Sequence, residues 1–176
     1  PETEGSFAHY HWSMPLIEKA LASTDDRIRE DKPVTPAFLY AALLWPGVKA
    51  RTDQLIASGM PDIPAAHQAA QQAIARQLNH TSIPKRFSIP MREIWDMQAK
   101  LPRRRGKRAF QTREHPRFRA AYDFLLLREF AGEVKPGLGK WWTDFQEVDA
   151  RTQVTMIEGV SDEGPAGSKP VGTKRR

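Results

Sequence analysis

Apolar residues recur at intervals of three and four along most of this chain. In the clearest case, Phe118, Tyr122, Leu125, Leu126 and Phe130 are spaced as on one face of a helix. A half-buried strand alternates apolar and polar positions and has many β-branched side chains. No stretch of five or more residues shows this pattern. The pattern therefore predicts an all-α fold with seven or eight helices.

Prolines and glycines indicate where helices should begin and end. Residues 1–12 are expected to form a loop before the first helix. Thr35 precedes a helix that is apolar on nearly every side, as a central helix would be. Pro46-Gly47 is expected to end that helix, because proline cannot donate the helical hydrogen bond, and a separate helix is expected over residues 48–58.

The composition changes near Asp149. Residues 1–148 contain the aromatic side chains and the helical stripes, so we expect a single compact helical body there. Beyond it, Gly, Pro, Ser and Thr dominate up to the basic end of the chain. Such a segment buries too little apolar surface to offset the entropy of ordering, so residues 149–176 are expected to form a flexible, disordered basic tail.

The overall composition narrows the class of protein. The chain has 176 residues, 40% of them hydrophobic, which is enough for one sizeable core. No run of about 18 apolar residues occurs, and the first residues do not resemble a secretory signal. Cysteine is absent, which fits a reducing cytoplasm, and the initial Pro1 suggests a piece of a longer protein.

Positive charge is concentrated between Ile83 and Arg119. This stretch has twelve Lys or Arg and three acidic residues, a net charge of +9, whereas the whole chain carries +6. The sequence pI is near 9.8. Charge that served only solubility could be scattered, so a local cluster indicates a surface that binds a polyanion. Nucleic acid is the expected partner, ahead of an acidic membrane surface.

Arginine predominates in the densest part of this stretch, and its guanidinium group can hold two phosphate oxygens or stack on a base. If residues 103–108 were helical, Arg103–Lys107 and Arg104–Arg108 would be like-charge pairs costing about 0.2–0.5 kcal/mol each. The segment would then suit a bound anion better than an empty state.

The side chains expected to contact RNA share a positive charge and a place in this stretch. They are Lys85, Arg86, Arg103, Arg104, Arg105, Lys107, Arg108, Arg113, Arg117 and Arg119. Charge density without a base-reading helix favours contact with the nucleic-acid backbone, and it favours RNA over DNA only weakly. Phe110, within the cluster, could stack on a base or pack into the core.

Catalytic chemistry has little support in the sequence. His9 and His11 form an H-x-H pair without a third ligand nearby, and His67, His80 and His115 are isolated. No zinc-protease motif, nucleophile elbow or Gly-rich phosphate loop is present. The chain by itself is therefore not expected to be an enzyme or to hold a metal ion.

Three strings stand out: IPKRFSIPMREIWDMQAKLPRRRGKRAF, HPRFRAAYDFLLLR and KWWTDFQ. They resemble the C-terminal, arginine-rich region of the bacterial poly(A) polymerase I family, in the nucleotidyltransferase class that includes tRNA CCA-adding enzymes. An earlier string, DDRIREDKPVTPAFLYAALLW, is similar to the helical body of the same enzymes. The resemblance extends from about Ser13 to Val148 and is specific, because long strings match in order at similar spacing.

The resemblance implies the RNA-binding part of an enzyme that adds adenylates from ATP to RNA 3′ ends. In that family an N-terminal catalytic head holds Mg²⁺ on paired aspartates after a Gly-Gly turn, and those motifs do not occur here. ATP and Mg²⁺ are therefore expected in a head outside this chain. The resemblance implies that the basic surface at residues 85–86 and 103–108 binds RNA. The implied partners are RNA 3′ ends and the catalytic head.

Two alternatives stay open. A CCA-adding tRNA nucleotidyltransferase would hold tRNA by its shape, although the arginine-rich stretch argues against it. A non-catalytic interaction module would use the same basic patch to dock an acidic partner. A salt series separates the readings, because RNA contact predicts that log K falls by about 0.7–0.9 per contacted phosphate as log salt rises.

Overall fold

The computed structural model describes the backbone of residues 4–79 and 82–160, and the side chains of residues 14–79 and 82–160. Within these ranges the chain forms eight α-helices and no strand. They are α1 (Glu4–Arg29), α2 (Pro36–Ala57), α3 (Asp62–Leu78), α4 (Lys85–Lys100), α5 (Lys107–Glu114), α6 (Phe118–Phe130), α7 (Leu138–Glu147) and α8 (Ala150–Glu158). The predicted all-α fold is confirmed for this part of the chain.

Two apolar clusters hold the helices together. The first lies among α1, α2, α3, α4 and α6 and contains Trp45, Trp95 and Phe124. The second lies among α4, α5, α6, α7 and α8 and contains Trp142 and Phe145. Because both clusters take side chains from α4 and α6, these two helices join the two halves of the body. Buried aromatic side chains of this size contribute strongly to packing energy.

The helix α2 continues through Pro46 and Gly47, so the prediction that this pair ends a helix was wrong. One long helix replaces the two that were expected. A proline inside a helix costs about 3 kcal/mol. Trp45, Val48 and Leu55 are buried on the two sides of the proline, and each buried side chain of this kind contributes about 1.5–3 kcal/mol. Tertiary packing therefore outweighs the local cost.

The first helix also begins earlier than expected. The helix α1 starts at Glu4, so the prediction of a loop was wrong for residues 4–12, and Pro15 lies inside the helix. Residues 1–3 lie outside the described part of the chain. Leu16 and Ala20 are fully buried, four residues apart on one face of α1.

The helix α8 packs on the body through its buried face. The Asp149 side chain caps it by accepting a hydrogen bond from the backbone N–H of Thr152 (2.8 Å). This hydrogen bond lowers the pKa of the Asp149 carboxyl. Gln153 and Ile157 are buried, and Gln153 Nε2 donates to the Phe145 carbonyl (2.7 Å).

The flexible tail expected over residues 149–176 therefore needs correction for residues 150–158. Composition alone does not show that Ile157 finds an apolar surface already formed by the other helices. The capping aspartate was a local signal that could have indicated the helix. Residues 161–176 lie outside the described residues.

Replacing Ile157 with alanine is expected to lower the free energy of unfolding by about 2 kcal/mol, because the variant leaves a cavity in the second cluster. Val154, on the same helix, is 46% exposed, so Val154→Ala is expected to change stability by less than about 0.5 kcal/mol. Urea denaturation measures both variants. Equally small changes would contradict the packing of α8 on the body.

Candidate nucleic-acid interface

Three consecutive arginines, Arg103–Arg105, lie in the connection between α4 and α5 and not in a helix. Leu101 anchors one end of the connection, because its side chain is fully buried and its carbonyl accepts a hydrogen bond from Trp142 Nε1 (3.1 Å). Gly106 turns the chain into α5 with φ +58°, which glycine adopts without strain. The like-charge helical pairs considered from the sequence do not form, because the three arginines lie in a short anchored connection.

A cavity of about 490 Å³, which we name the arginine cavity, lies beside this connection and against α2, α3 and α4. Four of the predicted residues line it, namely Arg103, Arg104, Arg105 and Arg108. Lys49 of α2 and Arg128 of α6 also line it, whereas its acidic lining residues are Asp53 and Asp62. Among the described lining residues, basic side chains therefore exceed acidic ones by six to two. This excess gives the cavity a positive potential that favours an anion.

A second cavity of about 500 Å³ shares two of these arginines with the first. Arg103 and Arg108 line both cavities, and Lys100 and His115 contribute to the second. The two arginines therefore separate two neighbouring concave surfaces. A strand of nucleic acid that passed from one cavity to the other would meet positive charge in both.

Arg128 lies at the wall of the arginine cavity in a network of buried polar groups. Its side chain is only 14% exposed. Its Nε donates to Glu133 Oε2 (3.3 Å), its Nη1 donates to Gln98 Oε1 (3.2 Å), and its guanidinium lies 4.8 Å from the Trp45 ring centre. Trp45 Nε1 donates to the same Glu133 oxygen (2.8 Å). Burial lowers the pKa of Arg128, and the Glu133 carboxylate beside it acts in the opposite direction.

Some predicted residues form ion pairs with carboxylates of the body. Arg103 Nη2 donates to Asp62 Oδ1 (2.5 Å), and Arg117 Nε donates to Glu93 Oε2 (2.9 Å). Side chains in both pairs keep 28–42% of their surface exposed. Pairs that are this exposed contribute at most about 1 kcal/mol. They orient the arginines without removing them from solvent.

Arg119 is held in a similar way on α6. Its Nε donates to Asp123 Oδ2 (3.2 Å), and its guanidinium lies 5.5 Å from the Tyr122 ring centre. Burial raises the pKa of Asp123 more than Arg119 lowers it.

The remaining predicted residues lie at different places along the helices. Lys85 and Arg86 are exposed at the start of α4, roughly 24 Å from its other end at 1.5 Å per residue. Lys107 and Arg113 are exposed on α5. The structure thus brings residues 103–105 and Arg108 to one cavity, and it does not bring Lys85 and Arg86 there. That these residues contact RNA stays a prediction.

Aromatic side chains near the site pack inward. The ring centres of Phe110 and Phe145 lie 5.6 Å apart, so Phe110 belongs to the second cluster and the base-stacking alternative loses its support. Trp142 is fully buried, whereas Trp141 is half-buried at the rim of this cluster. The Arg104 guanidinium lies 4.8 Å from the Trp141 ring centre, which is the geometry of a cation–π contact.

Sequence reasoning missed two residues of the arginine cavity, Lys49 and Arg128. Both lie outside the basic stretch, in helices that look mainly apolar. A signal existed for Arg128, which follows the buried Phe124 by four positions and Leu125 by three. A charged residue on the apolar face of a helix is almost always paired and is often functional.

The structure adds two observations on other kinds of site. Among the described residues, no three His, Cys, Asp or Glu side chains come together in a way that could hold a metal ion. His67 Nδ1 lies 3.1 Å from Asp96 Oδ2, while His9, His11 and His80 lie outside the described side chains. In residues 4–79 and 82–160, every helix is either too short or too polar to span a bilayer.

The fold and the arginine cavity define the class of the protein as an all-α domain with a concentrated polycationic site. A protein-family model described as "Polymerase A arginine-rich C-terminus" matches residues 58–176. The chain therefore belongs to the family of polymerase A arginine-rich C-terminal regions, and the family resemblance found in the sequence is confirmed.

Comparison with individual proteins agrees with this assignment. The chain is 40% identical over 153 residues to Poly(A) polymerase I of Escherichia coli O6:H1, which covers 84% of this chain and 32% of that protein. Identity to Poly(A) polymerase I of Salmonella typhi is 36% over 152 residues, with 84% and 32% covered. Identity to the Haemophilus influenzae protein of that name is 31% over 159 residues, with 89% and 34% covered. The chain spans about a third of the length of these relatives.

Replacing Glu133 with glutamine is expected to lower the free energy of unfolding by about 3 kcal/mol, because the buried Arg128 would lose its countercharge. The exposed Lys140–Asp144 pair supplies the control, since Asp144→Asn is expected to change stability by less than about 1 kcal/mol. Urea denaturation of both variants measures the difference. A Glu133→Gln variant as stable as the parent chain would show that this pair does not hold the cavity wall.

Proposed function

We propose that this chain is the RNA-binding C-terminal part of a poly(A) polymerase acting in the bacterial cytoplasm. The observation that carries the proposal is the convergence of Arg103, Arg104, Arg105 and Arg108 on one cavity. Guanidinium groups bind phosphate oxygens in pairs, and four of them at one place suit a ribose-phosphate strand better than an isolated anion. Family membership supports the same assignment.

In this proposal the chain contributes position and not chemistry. The arginines hold the RNA backbone so that its 3′ hydroxyl reaches a catalytic head in another part of the protein. That head would hold ATP and Mg²⁺ and transfer the adenylate. Since catalysis of phosphoryl transfer depends largely on positioning and charge stabilisation, a site that fixes the RNA raises the rate without touching the reacting atoms.

Contact with phosphates makes a quantitative prediction about salt. For single-stranded nucleic acid, the logarithm of the binding constant falls by about 0.7 per contacted phosphate for each unit rise in the logarithm of salt concentration. The double variant Arg105→Ala/Arg108→Ala is expected to reduce this slope by about 1.4, because both side chains are exposed at the arginine cavity. Fluorescence anisotropy with labelled oligo(A) between about 50 and 200 mM salt measures it.

The matched control removes the same amount of charge elsewhere. Arg29 and Lys32 are exposed and line neither of the two cavities described above. The variant Arg29→Ala/Lys32→Ala is expected to leave the slope nearly unchanged. Equal slopes for the two double variants would refute a local RNA site at the arginine cavity. Binding of an acidic protein without measurable binding of RNA would favour the interaction module instead.

A further inference from the structure

The arginine cavity has an apolar wall as well as basic side chains. Ile56 of α2, Ala66 of α3 and Ala99 of α4 line it, together with Val48. Contact with phosphates alone does not require such a wall, because phosphates also bind to open basic surfaces. Cavities of roughly 300–1,000 Å³ with apolar walls and a few charged groups are typical of small organic ligands. The cavity, at about 490 Å³, falls within that range.

The polar groups of the wall are already engaged within the protein. Gln98 Nε2 donates to the carbonyls of Ile94 (3.1 Å) and Ala121 (3.0 Å). Trp95 Nε1 donates to the Ala41 carbonyl (3.1 Å). Groups satisfied in this way do not select one pattern of donors and acceptors on a ligand. The wall therefore offers shape and apolar contact with little chemical discrimination.

Contacts around Trp45 and Arg128 hold the cavity in a preformed state. The ring nitrogen of Trp45 donates a hydrogen bond to Glu133, and the Arg128 guanidinium lies over the face of the ring. Arg128 and Gln98 bind each other across α6 and α4. Because these side chains are fixed before a ligand arrives, less conformational entropy is lost on binding.

We propose that the arginine cavity holds one nucleotide of a single-stranded RNA, with the base against the apolar wall and the phosphate at Arg105 and Arg108. This inference rests on the proposed function and specifies how the site holds its RNA. The cavity recognises that a base is present and not which base it is. It would secure one unit of the strand in register, whereas phosphate contacts alone allow the strand to slide.

The test compares two strands of equal charge. One is labelled oligo(A), and the other is a ribose-phosphate strand of the same length that lacks its bases. The parent chain is expected to bind oligo(A) about tenfold more tightly, since covering one face of a base with aliphatic side chains removes apolar surface from water. Equal affinity for the two strands would overturn the proposal, because it would show that only phosphates are held.

A cavity-filling variant tests whether the preference for oligo(A) arises at the arginine cavity. In Ala99→Leu, the added methyl groups occupy the cavity without changing any charge, so the preference for oligo(A) is expected to disappear while the salt slope stays the same. Ala75→Leu is the matched control, because Ala75 is exposed on α3 and does not line the cavity. A preference that persists in Ala99→Leu would overturn the proposal.

A second pair of variants covers the case in which Ala99→Leu does not fold. Ile56 and Leu43 both lie on α2 and are both 43% exposed, but only Ile56 lines the cavity. Ile56→Ala is expected to weaken oligo(A) binding about threefold to tenfold without affecting the strand that lacks bases, because it removes apolar contact surface. Leu43→Ala is expected to change neither. Equal effects of Ile56→Ala and Leu43→Ala on oligo(A) binding would overturn the proposal. If neither strand binds the parent chain, the proposed function itself fails.

Discussion

The buried guanidinium of Arg128 holds together the helices that form one wall of the arginine cavity. It joins α6 to α4 through Gln98, lies over Trp45 of α2, and pairs with Glu133. Removing a charged group from water costs several kcal/mol even after the protein relaxes. Such a position is therefore stable only while every partner stays in place. The network makes one wall of the arginine cavity rigid and ties three helices together behind it.

Packing, more than ion pairing, determines where the other arginines lie. Exposed pairs such as Arg103 with Asp62 contribute little, because water screens them. The anchor of the connection is instead the buried Leu101, whose carbonyl accepts from the buried Trp142. Three adjacent positive charges repel one another, and this repulsion is tolerated because the second apolar cluster, which contains Leu101 before the connection and Ala109 after it, supplies the stability. An anion would relieve the repulsion, which is why an anchored arginine connection suits a phosphate-bearing ligand.

The apolar stripe of α6 illustrates how far periodicity predicts burial. Phe118, Tyr122 and Leu125 are buried as the spacing indicated, but Leu126 is at the edge and Phe130 is 63% exposed. Successive residues on a helix point about 100° apart, so Leu126 lies at the edge while Leu125 faces the second cluster. The prediction that Pro46 ends a helix was wrong for a related reason. Proline disfavours a helix interior, and the sequence shows this local effect. The burial of residues on each side of Pro46, however, depends on helices distant in sequence.

The sequence by itself determined that the chain is helical, that its positive charge is concentrated in one stretch, and which family it resembles. These properties are carried by residues close together along the chain, so spacing and charge reveal them. Only the tertiary structure decided that Arg128 and Lys49 join residues 103–108 at one cavity, while Lys85 and Arg86 lie at the far end of α4. The positions of these side chains depend on contacts between distant segments, such as the hydrogen bond from Gln98 to the Ala121 carbonyl. No local pattern specifies such contacts, because they form only when whole helices bury their apolar faces against one another.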